Sequence, residues 1–384
     1  MQKTDVLAAV RDTDPGLFPG AFCKIIADDL TGDRAYCLAM HADGAGTKAS
    51  LAYLVYRETG DAAVFRGIAQ DALVMNIDDL LCVGASGPFL VSNAIGRNKI
   101  LVPGDVVSQI VAGFEEQATQ FAQWGMDVVL TGGETADVGD LVRTVIVDAT
   151  AVARMRRDRV IANDRVRPGD VIVGLASFGQ TTYEERYNSG IGSNGLTSAR
   201  HDLLHADYAG RYPESFDPAM PADLVFSGPH HLETHLPGTQ VSVGSALLSP
   251  TRTYAPVVRA LLESHREHIS ALVHCTGGGQ TKVLRTGTRI HYVKDHPFPP
   301  PPLFAEIQRV SGAPWREMYQ VFNMGHRMEI IGNERLVPIV EKICAGYNLE
   351  CRVVGHCEAS PDGPQNRVTL TAPDGEEIIY PVPG

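Results

Sequence analysis

The chain reads as an α/β protein whose second half passes into α+β structure, and three observations lead there. Apolar runs of strand length alternate with helical patterns between positions 36 and 176. The 384 residues, 44% of them hydrophobic, suffice for two cores. The apolar rhythm breaks at R-M-R-R-D-R (154–159) and again at the turn R-P-G-D (167–170). These breaks divide the chain into a domain spanning 1–165 and a second spanning 166–384.

In order, strands are expected at 36–42, 89–95, 127–131, 141–153 and 171–176, with helices at 62–83 and 104–123. From about 178 to 250, Gly, Ser, His, Pro and Asp are frequent and periodicity fades. This stretch is read as an inserted, irregular region holding one helix near 196–204. Order returns with a helix at 254–263, a strand at 271–275 and the rigid connector H-P-F-P-P-P-P at 296–302. Helices follow at 303–310, 315–319 and 335–345, and strands at 321–331, 351–356, 367–371 and 377–382.

Composition narrows the function. A net charge of −12 disfavours a nucleic-acid partner, and an anionic substrate would need divalent cations or local N–H groups and lysine. No apolar run of about 18 residues exists to span a membrane, and residues 1–12 lack a signal-peptide core. Seven cysteines without a C-x-x-C pair argue against a disulfide framework or zinc module and favour a reducing cytoplasm.

Four loops could carry chemistry. The first, H-A-D-G-A-G-T-K (41–48), follows a strand. It is no P-loop, because the chain has no Gly-Lys dipeptide. Glycines would let backbone approach a phosphate, Lys48 could neutralise it, and Asp43 could hold magnesium. A polar turn is the plainer alternative. In the second, Q-D-A-L-V-M-N-I-D-D-L (70–80), Asp71 and Asp78 share a helix face and Asp79 lies about 80° further round. Such a face either binds cations or is a solvated acidic stripe. The third, T-G-G-E-T-A-D (131–137), lies beyond a strand end, where ligand groups gather in α/β sheets. The fourth, H-C-T-G-G-G (274–279), offers successive N–H groups or a hinge, and its His274 reads as structural. G-I-G-S-N-G (190–195) matches a dinucleotide fingerprint formally, but no strand immediately precedes it.

Taken in order, D-G-A-G-T-K, M-N-I-D-D-L-L-C-V-G-A-S-G-P, G-G-E-T-A-D, S-N-G, L-L-S-P-T-R-T-Y, H-C-T-G-G-G and M-Y-Q-V-F-N-M-G closely resemble the phosphoribosylformylglycinamidine cyclo-ligase family over about 36–360. The resemblance implies ATP-dependent conversion of formylglycinamidine ribonucleotide to aminoimidazole ribonucleotide through a phosphorylated formamide. It further implies a two-domain fold whose N-terminal sheet joins its copy as a shared β-barrel across a homodimer. ATP and Mg2+, with K+ as a further candidate, are the implied cofactors, and a small ribonucleotide is the implied substrate.

By the same resemblance, Asp43, Asp71 and Asp79 would be metal ligands, with Lys48 and Asp79 catalytic. Asp43, Gly44, Gly46, Thr47, Lys48, Asp71, Gly132, Gly133 and Glu134 would form the nucleotide site. Ser193, Asn194, Gly195, Thr276, Gly277, Gly278 and Gly279 would face the ribonucleotide. Three departures stand out. The family histidine before Ser-Asn-Gly is here Gly192, and an insertion near 180–191 could supply its replacement. His326 and Arg327 also replace small or apolar residues. Another ATP-dependent activator of the superfamily (thiamine-monophosphate kinase, selenophosphate synthetase or hydrogenase-maturation type) and a non-catalytic nucleotide-binding subunit remain alternatives.

Overall fold

A computed structural model describes residues 13–381, so the readings at residues 1–12 and at 382 lie outside the described residues. Two mixed sheets organise the chain. The first runs β1 (Ile25–Ala27), β2 (Tyr36–Gly44), β5 (Val145–Arg156), β3 (Phe89–Arg97), β4 (Val128–Asp137), with only β3 and β4 parallel. The second runs β12 (Glu377–Tyr380), β11 (Arg367–Thr371), β8 (Ile290–Lys294), β10 (Cys351–Ala359), β6 (Val171–Ala176), β9 (His326–Gly332), β7 (Ile269–His274). There only β11 and β8 are parallel.

Helices α1 (Lys48–Thr59), α2 (Arg66–Cys82) and α3 (Gly104–Gln123) belong to the first half. β5 alternates buried and less buried residues along its length, the signature of a sheet with one covered face. α2 covers that face, touching β2, β5 and α3 on one side and β7 on the other. It is therefore enclosed all round, from Ile68 to Cys82. A helix so placed cannot leave its carboxylates in water, so each must find a protein partner.

Most expected elements are present with shifted ends. The helix expected at 62–83 opens as a 3-10 turn, Ala62–Phe65, before α2 begins. The strand expected at 141–153 starts only at Val145, because Leu141 and Val142 both donate to the Val138 carbonyl in a turn. The strand expected at 127–131 continues to Asp137, so Gly-Gly-Glu lies inside β4 rather than in a loop after it. The strands β1 and β8 escaped the sequence reading, being short and flanked by turn residues.

Residues 178–250 hold α4 (Leu196–Leu203), α5 (Asp207–Arg211) and α6 (Val243–Leu247) among turns. Their irregular backbone still buries Tyr208, Phe226 and Leu236. The rest is completed by α7 (Ala255–Ser264), α8 (Pro302–Ser311), α9 (Trp315–Val321) and α10 (Leu336–Gly346). Among the described residues, no helix is long and apolar enough to cross a membrane.

Candidate active site

The acidic helix and the S-P-T-R-T-Y loop hold each other. Asp71 Oδ1 accepts from the Thr251 amide at 2.7 Å and from its hydroxyl at 2.5 Å. Two turns along α2, Asp78 accepts from the Thr253 hydroxyl at 2.6 Å and the Tyr254 amide at 3.0 Å. Seven helical residues rise about 10.5 Å, a span that the three extended residues from 251 to 254 match. Burial pushes the Asp78 carboxyl above its usual range, and those donors oppose the shift.

Lys48, expected to meet a nucleotide phosphate, is fully buried. Its Nζ donates to Asp71 Oδ1 at 2.9 Å and to the Ser249 carbonyl at 2.5 Å. Burial lowers the ammonium pKa, and the charge of Asp71 works against that. The expected direct phosphate contact is thus corrected: Lys48 faces protein atoms and ties the 44–48 turn to the 249–251 loop.

Asp79 sits between two imidazoles, His274 Nδ1 at 2.6 Å and His41 Nε2 at 3.1 Å. Burial drives its pKa up, but the hydrogen bonds and charges of both histidines outweigh that and hold the carboxyl well below the ordinary range. The Asn76 amide nitrogen donates to the Asp43, Ala72 and Ala149 carbonyls, which turns its oxygen toward His41 Nδ1 at 3.1 Å. His41 thus faces a carboxylate oxygen through one nitrogen and an amide oxygen through the other, a setting that favours its protonated form. Its pKa is raised accordingly: burial lowers it, and Asp79 and Asn76 more than compensate. His274 Nε2 is buried without a partner.

The expected metal triad of Asp43, Asp71 and Asp79 does not converge. Asp71 and Asp79 share α2 but lie about 12 Å apart along its axis; rotation about a helix aligns faces without removing the rise. Among the described residues, the group that brings Asp79 together with other ligand atoms is Cys23, His41 and Asp79, within 4.8 Å of one another. Asp43 lies apart from that group, on the strand end before the 44–48 turn. It is partly exposed, and one oxygen accepts from the Gly44 amide at 2.7 Å. Burial holds its carboxyl above the usual range, with Asp79 adding to the shift. Asp148, missed by the sequence reading, is raised by burial and by the charge of Asp43. Its Oδ1 would lie 1.8 Å from a Cβ at position 44, so Gly44 is what admits that carboxylate. The buried Asp71 Oδ2 has no partner, the one orphaned acceptor on the acidic face of α2.

The turn 44–48 reaches the first turn of α4, just after Ser-Asn-Gly, with Thr47 Oγ1 2.8 Å from Thr197 Oγ1. Gly46, at φ +57°, faces open space. Ser193, Asn194 and Gly195 are half-buried, and Ser193 Oγ lies 3.4 Å from Thr251 Oγ1. The F-N-M-G loop joins this loop to T-G-G-G. The Phe322 ring lies against Gly195, and its carbonyl lies against Gly279. Asn323 donates to the Gly190 carbonyl at 2.7 Å and accepts from Gln280 at 2.6 Å. Thr276 is buried, and Gly277, Gly278 and Gly279 all have positive φ. That conformation lets three successive residues turn tightly beneath the loop.

Gly132, Gly133 and Glu134 are exposed on β4 and are not beside Asp43 within this chain. Glu134 pairs with Ala94, Ala94 with Asp148, and Asp148 with Gly44. Three strand spacings put Glu134 about 14 Å from Gly44. The insertion also departs from expectation. Glu184 is bound by the Arg252 guanidinium at 2.9 and 2.5 Å, and Tyr183 donates to the Thr253 carbonyl at 2.8 Å. These residues brace the 251–254 loop. It is Arg327, not the insertion, that borders Gly192: a Cβ there would be 2.6 Å from Nη1.

A family model described as AIR synthase related protein, N-terminal domain, matches residues 25–155, and its C-terminal counterpart matches 167–363. A phosphoribosylformylglycinamidine cyclo-ligase of Methanocaldococcus jannaschii is 29% identical over 337 residues, covering 87% of this chain and 81% of that protein. One of Methanothermobacter thermautotrophicus is 32% identical over 295 residues, covering 77% and 72%. Among solved structures, Thermotoga maritima PurL complexed with FGAR has a TM-score of 0.51 at 16% identity, over 90% of this chain. The chain spans only 45% of that PurL chain, and the likeness is one of fold.

Proposed function

The chain belongs to the AIR synthase related protein family, and from that premise we propose that it is a ligase of purine biosynthesis. In this reading it converts formylglycinamidine ribonucleotide and ATP into aminoimidazole ribonucleotide, ADP and phosphate. The observation that carries it is similarity to named cyclo-ligases that runs through both halves of the chain. The geometry supports it: the 249–254 loop is bonded to the buried helix α2, the 44–48 turn and the 192–197 segment adjoin that loop or each other, and Phe322 links the 192–197 segment to 276–279.

ATP would phosphorylate the formamide oxygen, and the amidine nitrogen would then attack the activated carbon and release phosphate. Such chemistry needs positioning and charge stabilisation, with no covalent nucleophile on the protein. Magnesium bound with ATP would neutralise phosphate charge, and Asp43 is the carboxylate best disposed to hold it. The 44–48 turn and Thr47 would meet the nucleotide, and Ser193, Asn194 and Gly195 the ribonucleotide. Lys48 and Asp71 would position these loops. Asp79 would hold His41 and His274 in place beside the 41–48 segment.

The domain division at about 165 is part of this proposal, since strands of the first sheet lie within 25–156 and those of the second within 171–380. So is a homodimer with a shared barrel. Ile26, Met40, Leu90, Val129 and Ile146 leave an apolar outer face exposed on the first sheet, and β4 has one unpaired edge. Seven free thiols support a reducing, cytoplasmic setting. The test is to incubate the protein with formylglycinamidine ribonucleotide, ATP, Mg2+ and K+ and follow ADP and aminoimidazole ribonucleotide together. Equal formation is expected; ADP or no product without the imidazole would refute the reading.

A further inference from the structure

Arg327 is a buried cation that forms no direct salt bridge among the described residues. It is 2% exposed. Nη2 donates to the Arg252 carbonyl at 2.5 Å, and Nε is buried with no partner. The neighbouring carboxylates direct their hydrogen bonds elsewhere: Asp71 to Lys48 and Thr251, Asp78 to Thr253 and Tyr254, and Glu184 to Arg252; the Asp78 charge reaches Arg327 only through space. The Tyr254 ring centroid lies 5.8 Å from Cζ and provides a face for the guanidinium, not a charge to balance it. Enclosing a guanidinium without a directly bonded anion is costly in desolvation. It is most easily retained where an anion arrives from outside.

The direction of the side chain says where. Nη1 fills the space beside Gly192, whose φ of +65° and missing Cβ admit it, and Thr251 Oγ1 borders the same space. Ser193 Oγ is 3.4 Å from that hydroxyl. Gly195, at φ +77°, begins α4, so free amide groups end at the same half-buried loop. A guanidinium with an unpartnered Nε, two hydroxyls and a helix start therefore meet at the 192–195 loop.

We propose that Arg327, Ser193 and Thr251 with the 192–195 loop form a phosphate-binding subsite that takes a phosphate group of a bound substrate, Arg327 setting its specificity. The identity of that substrate rests on the cyclo-ligase reading; the binding itself does not. Two phosphates share this chemistry, the 5′-phosphate of the ribonucleotide and the terminal phosphate of ATP.

The test is calorimetric titration of ribose 5-phosphate and, separately, a non-hydrolysable ATP analogue into the wild-type protein, Arg327→Met and Arg327→Lys. A tenfold or greater loss of ribose 5-phosphate affinity in the Met variant, partly restored by Lys, with the ATP analogue unaffected, is expected. Loss confined to the ATP analogue upholds the subsite and gives it to the nucleotide. Unchanged affinity for both ligands in a folded Met variant overturns the proposal, as does absence of binding of either to wild type. Should Arg327→Met not fold, Arg327→Gln and the Lys variant carry the same comparison. Failure of the ring-closing assay with these affinities intact would reject the cyclo-ligase reading and leave the subsite standing.

Discussion

Lys48 Nζ lies 2.9 Å from Asp71 Oδ1, and neither side chain is exposed. One half of the chain supplies both, yet the same oxygen also receives Thr251 from the other half. Removing the lysine would leave a buried carboxylate short of its cation. Lys48→Met is therefore expected to lose about 3–5 kcal/mol of stability. Adding Asp71→Leu should recover part of that loss, since no unpaired charge then remains. Urea midpoints of the two variants decide it; a wild-type midpoint for Lys48→Met would contradict the structural role.

Asp79→Asn keeps the shape of the side chain but removes the charge that organises two histidines. Turnover is expected to fall by at least about 100-fold, with the far-ultraviolet circular dichroism unchanged. Near-normal kcat in a folded variant would remove Asp79 from the reaction.

The His41–Asp79 pair sets a pH dependence. The His41 pKa is raised, so its contribution is complete below its unfolded value of about 6.5 and vanishes as pH rises through the folded value. Asp79 is lowered, so its contribution is complete above about 3.9 and is lost only as pH falls through its folded value. The stability gap between wild type and His41→Gln should thus narrow as pH is raised from about 6 toward about 9. A gap that widens over that range would contradict the raised His41 pKa.

Gly195 meets two constraints at once. Its φ is +77°, and a Cβ would fall 2.3 Å from the Phe322 ring. Gly195→Ala is expected to cost about 2–4 kcal/mol from backbone strain and overpacking together. Pairing it with Phe322→Leu should relieve the clash but not the strain, so thermal denaturation of the double variant should recover only part of the loss.

Arg252 spreads its guanidinium over the Ala176, Phe178 and Gly179 carbonyls and the Glu184 carboxylate. Lysine cannot reproduce that planar fork. For Arg252→Lys, limited proteolysis is expected to cut within 180–188 faster than in wild type. Equal cleavage rates would show that the insertion holds without this anchor.

Much of the local structure was legible because it depends on neighbours in sequence. Helix Gly104–Gln123 and strands Val171–Ala176 and Arg367–Thr371 stand where their periodicity put them. The glycine and aspartate loops were legible as candidates, and their order carried the family resemblance. What those side chains face was not legible. A helical pattern reports that Asp71 and Asp78 share a face, but not that both are sealed beneath residues nearly 180 positions later. That enclosure turned expected cation ligands into anchors for a loop, and the expected phosphate lysine into one half of a buried pair. Arg327 likewise read only as a departure until the fold laid it against Gly192. Periodicity and turn chemistry act over a few residues, whereas desolvation and charge pairing depend on which distant segments exclude water, and only the tertiary structure decides that.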